Sequence, residues 1–80
     1  MKVSKKKLRE VEAALAVEVR MCGDNSTPYG DIGRVYGLAL ALAIITDTST
    51  DEALDQVLER NGLTETWKAV GEAVRQKEQA

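Results

Sequence analysis

Val35-Tyr36-Gly37-Leu38-Ala39-Leu40-Ala41-Leu42-Ala43-Ile44-Ile45 contains no charged side chain, and whether it forms helix or strand sets the architecture. At eleven residues it is far too short to cross a bilayer, which takes about 20. Two folded readings exist. Leu38, Leu40, Leu42 and Ile44 alternate with smaller residues, as in a strand. Alanine and leucine are strong helix formers, however, and alanine is depleted in strands. The helix reading is the better supported, over residues 32–46. A helix apolar on every side is either a core helix or one shared between subunits.

Gly33, Gly37 and Ala41 lie four residues apart on that helix and form a ridge of small side chains. Two partners suit the ridge. The simpler is the alanines of the preceding helix, Ala13, Ala14 and Ala16. The other is a second copy of the chain, which makes the ridge a homodimer contact.

Upstream, Leu8, Val11, Leu15, Val19 and Cys22 recur at three- and four-residue steps. That spacing predicts a helix from Ser4 to about Cys22, with Ser4 as N-cap and Val3 and Leu8 placed for a hydrophobic staple. Gly23 suits its end. Residues 23–31, Gly-Asp-Asn-Ser-Thr-Pro-Tyr-Gly-Asp, are dense in turn formers and predict the main loop. The central helix then starts either at Thr27-Pro28 or after an Asp31 cap. Gly30 and Gly33 weaken the early start, so the later one is preferred.

Downstream, Thr46 to Thr50 is a polar break. Ser49 and Glu52 fit a capping box that opens a third helix, with Ala53, Leu54, Val57 and Leu58 on its buried face. Gly62 suits the left-handed cap that closes it near Arg60. Thr64 is the expected cap of a fourth helix, with Trp67, Val70 and Val74 inward and fraying from Gln76. The expectation is a single all-α domain, residues 1–80: a compact four-helix arrangement with the 32–46 helix buried at its centre.

Composition narrows the function. The chain has 80 residues, 44% apolar and 30% charged, which suits one folded domain. There is no histidine and a single cysteine, Cys22. A zinc site and an intrachain disulfide are therefore out of reach. The commonest general base is missing too, and no imidazole is available to activate the thiol. Asp47, Ser49 and Asp51 open like a calcium loop, but Glu52 and Leu58 stand where that loop needs Gly and Glu. No P-loop or dinucleotide fingerprint is present. The chain is expected to be no enzyme, with no catalytic residue, metal or cofactor. With no apolar stretch behind the basic N-terminal residues and only one thiol, a cytoplasmic location and no membrane span are expected.

The net charge of −2 names no partner, but its distribution is uneven. Residues 1–20 carry a net +3, residues 21–65 a net −6, and residues 66–80 a net +1. Asp47, Asp51, Glu52, Asp55 and Glu59 form the acidic part, and charge of one sign selects partners of the other. The first expectation for function is thus binding to another protein, as a small regulator, inhibitor or assembly factor with an acidic helical surface, with homodimerisation beside it. The second is nucleic-acid binding through Lys5, Lys6, Lys7 and Arg9. Those lysines sit in a first helical turn, where the dipole favours the opposite charge, so helix stability does not account for them. The third is a phosphate or nucleotide ligand at loop 23–34. There Tyr29 is a contact anchor and Arg34 lies just inside a helix N-terminus, although Asp31 would repel an anion.

Overall fold

The structure is a computed structural model and describes residues 4–23 and 32–79, with side chains as far as residue 76. Four helices account for nearly all of these residues: α1 Lys5–Gly23, α2 Ile32–Thr46, α3 Thr50–Arg60 and α4 Thr64–Gln79. The domain is all-α.

Each described helix end has a local cause. Ser4 caps α1, its Oγ accepting from Lys7 N–H at 3.2 Å. α2 begins at Ile32, the later of the two starts. At its far end Asp47 takes the left-handed conformation, φ 56°, and Thr48 N–H reaches back to Ala43 C=O at 3.0 Å. That is a Schellman cap built on an aspartate rather than a glycine. Ser49 Oγ accepts from Glu52 N–H at 3.1 Å and starts α3. Gly62, φ 64°, ends it in the same way, with Leu63 N–H on Leu58 C=O at 2.8 Å.

α4 departs from expectation at both ends. Trp67 N–H donates to Leu63 C=O, so the helix takes its first carbonyl from Leu63, and Thr64 is its first helical residue rather than its cap. The reason is Leu63 itself. It is buried as the residue that completes the α3 cap, and the chain turns into α4 with no spacer. The helix also continues through Gln76 to Gln79.

The core joins all four helices. Leu15, Ala16 and Val19 of α1 meet Val35, Ala39, Leu42 and Ala43 of α2 and Ala53, Leu54, Val57 and Leu58 of α3. Leu63 completes that cluster and Val70 of α4 is buried as well. Leu8, Val11, Cys22, Leu38 and Trp67 pack around it, half-buried. α2 lies between α1 and α3. α4 closes on the end of α1, where Ala69, Val70 and Ala73 face Cys22 and Gly23 around a small cleft. Gly23 permits that approach: a Cβ there would stand 2.5 Å from Thr66 Cγ2.

α2 is central, but only half of its circumference is covered. Val35, Ala39, Leu42 and Ala43 are buried, whereas Tyr36, Leu40, Ile44 and Ile45 are exposed. The expected shelter on every side therefore holds for one face. Among the described residues only α1 and α3 pack along α2, too few to surround it, and a domain of this size leaves a large share of its surface in water.

Candidate interaction surfaces

At about 100° per residue, the uncovered face of α2 comprises Gly33, Tyr36, Gly37, Leu40, Ala41 and Ile44, with Arg34 and Ile45 at its margin. Tyr36 is 46% exposed, Leu40 51%, Ile44 74% and Ile45 38%. Together they present on the order of 400 Å² of mostly apolar surface, the size of the largest patch on a typical monomer and one that is often functional. One anchor is internal, an edge-on contact of Tyr36 with the Trp67 ring at 5.9 Å.

The small-residue ridge belongs to this face, which overturns the reading of it as a seat for the alanines of α1. Gly33 and Gly37 are exposed, Ala41 is half-buried, and a Cβ added at Gly37 would meet nothing within 4 Å. Ala13 and Ala14 are themselves exposed, and only Ala16 enters the core. The cause lies in register. Val35, Ala39, Leu42 and Ala43 point at α1 and α3, and the ridge lies roughly half a turn away from them.

A second surface is the outside of α3. Asp51, Glu52, Asp55 and Glu59 are all exposed and fall within about 100° of arc, because Ala53, Leu54, Val57 and Leu58 claim the other side. Asp47 is exposed at the end of α2. Asp51 and Glu52 also occupy the first turn of α3, where the helix dipole favours negative charge.

Cross-helix ion pairs sharpen the charge division. The two cations of the acidic middle segment both turn to carboxylates of α1: Arg60 pairs with Glu12, and Arg34 lies 3.7 Å from Glu18 Oε1. Lys7 pairs with Glu10 within α1. Among the described residues no cation pairs with Asp47, Asp51, Glu52, Asp55 or Glu59, so these carboxylates face solvent without a salt bridge there. Neither cross-helix pair was legible in the sequence, since each joins residues that only the fold brings together.

Among the described residues the basic side chains of α1 make a smaller patch. Lys5, Lys6 and Lys7 are exposed, but consecutive helical positions spread them around the axis. Only Lys5, Lys6 and Arg9 share a side, and Glu10 and Glu12 flank it. Of the loop candidates, Tyr29 and Asp31 lie outside the described residues. Arg34 is in the first turn of α2, 65% exposed and beside Glu18. Cys22 is half-buried beside α4. Among the described residues no group of acidic or thiol side chains is placed to hold a metal ion. No single helix among them is long and apolar enough to cross a membrane.

Comparison with protein-family models, with curated proteins and with solved structures finds no match.

Proposed function

We propose that this chain is a protein-interaction module of the regulator, inhibitor or assembly-factor kind, and that it docks through the uncovered face of α2. The observation that carries the reading is the exposure of Tyr36, Leu40, Ile44 and Ile45 along one stripe of a helix whose other face is in the core. Leaving that much apolar side chain in water forgoes stabilisation that a partner surface would restore. The acidic outer face of α3 adds sign. Among the described residues its four carboxylates, with Asp47 beside them, have no counter-cation, which disfavours nucleic acid as a ligand of that side.

A photo-crosslinking residue substituted for Ile44, compared with one at Arg75 on α4, tests this in living cells. Both positions are exposed, so neither substitution disturbs the core. Crosslinks to polypeptide from position 44 and none from position 75 are expected. Equal labelling from both positions, or none from 44, refutes the assignment of α2 as the docking face.

A further inference from the structure

We propose that the occupant of the α2 face is the α2 face of a second copy of this chain, packed antiparallel about a two-fold axis near Leu40. The inference rests on the reading of α2 as the docking surface and names what docks there.

The first argument is shape. A helix side chain packs into a hole formed by residues i, i+3, i+4 and i+7 of the facing helix. Gly33, Tyr36, Gly37 and Leu40 form one such hole on the exposed face. Gly37, Leu40, Ala41 and Ile44 form the next. Each contains two small residues, so each is deep. The two most prominent side chains of the same face are Leu40 and Ile44. In one antiparallel register, the partner's Ile44 enters the first hole and the partner's Leu40 enters the second. A single register thus seats both knobs in both directions, as a two-fold interface requires.

Gly37 supplies a second argument. Glycine inside a helix is unfavourable relative to alanine. Among the described residues nothing demands it here, since none lies within 4 Å of a Cβ built on it. Gly71 in α4 is also open, but its exposed neighbours are Lys68, Glu72 and Arg75, and no apolar stripe runs through it. At Gly37 the open space is the floor of both holes.

Charge and area complete the case. The stripe itself is uncharged, so two copies meet without repulsion along it. Antiparallel packing sets the end of α2 bearing Arg34 beside the partner's end bearing Asp47, and it opposes the two helix dipoles. A stable interface buries about 800 Å² per partner. The stripe offers about half of that as apolar side chain, which suits a weak, reversible pair rather than a permanent dimer.

Sedimentation of the purified chain from about 1 µM to about 1 mM reads this directly. The mass is expected to rise from 8.7 kDa toward twice that value. Ile44→Glu and Leu40→Glu, each verified as folded by circular dichroism, should hold the chain at the monomer mass throughout. Gln56→Glu on the outside of α3 should not. A monomer at every concentration overturns the proposal, and so does an association that the α2 variants leave intact. If the purified chain stays monomeric while position 44 crosslinks to a different polypeptide in cells, the second copy is refuted and the docking face stands. If neither occurs, both readings fall.

Discussion

Replacing Gly37 by alanine should stabilise the isolated chain and weaken its self-association, and the two effects are separable. In the folded monomer a methyl at this position meets no atom of the described residues within 4 Å. The substitution therefore carries no packing penalty, and the helix gains the glycine-to-alanine difference of about 0.8–1.0 kcal/mol. A chain of 80 residues has a stability of roughly 4–12 kcal/mol, so the gain is a sizeable share of it. It corresponds to a rise of about 4–8 °C in melting temperature. Urea unfolding at low micromolar concentration, followed by circular dichroism, measures the monomer term. Sedimentation at high concentration measures the other, where the added methyl lifts the floor of both holes and weakens the pair severalfold. Gly71→Ala is the internal control: the same open surroundings predict the same stability gain, with self-association unchanged. The reasoning is refuted if Gly37→Ala fails to stabilise the dilute chain while Gly71→Ala does, because the surroundings of Gly37 would then be filled. Equal weakening of association by both variants would refute its assignment to the α2 face.

Three further substitutions probe the fold itself. Gly23→Ala should destabilise by about 1 kcal/mol despite the better helix former, because its methyl would lie 2.5 Å from Thr66 Cγ2; adding Thr66→Ser removes that methyl and should recover the loss in urea unfolding. Asp47→Gly should stabilise by up to about 1 kcal/mol, since Asp47 holds φ 56° and places a negative charge at the end of α2; a lower melting temperature would show that its side chain supports the cap. Leu15→Ala removes a side chain that is 0% exposed between helices and should cost about 2–5 kcal/mol, read as a clearly lower urea midpoint.

Much of the fold was legible in the sequence, and particular residues show why. Ser4, Ser49 and Gly62 act where expected because a cap is a local event, decided by a few side-chain and backbone groups around one turn. The inward residues of α1 and α3 were legible too, since polar residues mark the outer face of each helix. Thr64 was misread because its role depends on how deeply Leu63 is buried, and that is not a local matter. Of the candidate sites, the acidic face of α3 follows from spacing alone. The α2 face does not. Gly33, Gly37 and Ala41 drew notice, but Tyr36, Leu40, Ile44 and Ile45 passed as core because they stand in a uniformly apolar run. The one available signal was their placement beside the small residues at intervals of three and four.

Helix formation, chain reversal and the charge imbalance of this protein are written in its sequence, because each depends on neighbours within a few positions or on simple composition. Which side of α2 meets water is a different kind of fact. A helix that is apolar all round has no polar face to orient it, so only the packing of α1 and α3 against Val35, Ala39, Leu42 and Ala43 selects the buried side. The same packing delivers Arg34 and Arg60 to the carboxylates of α1, leaving the acids of α3 without partners among the described residues.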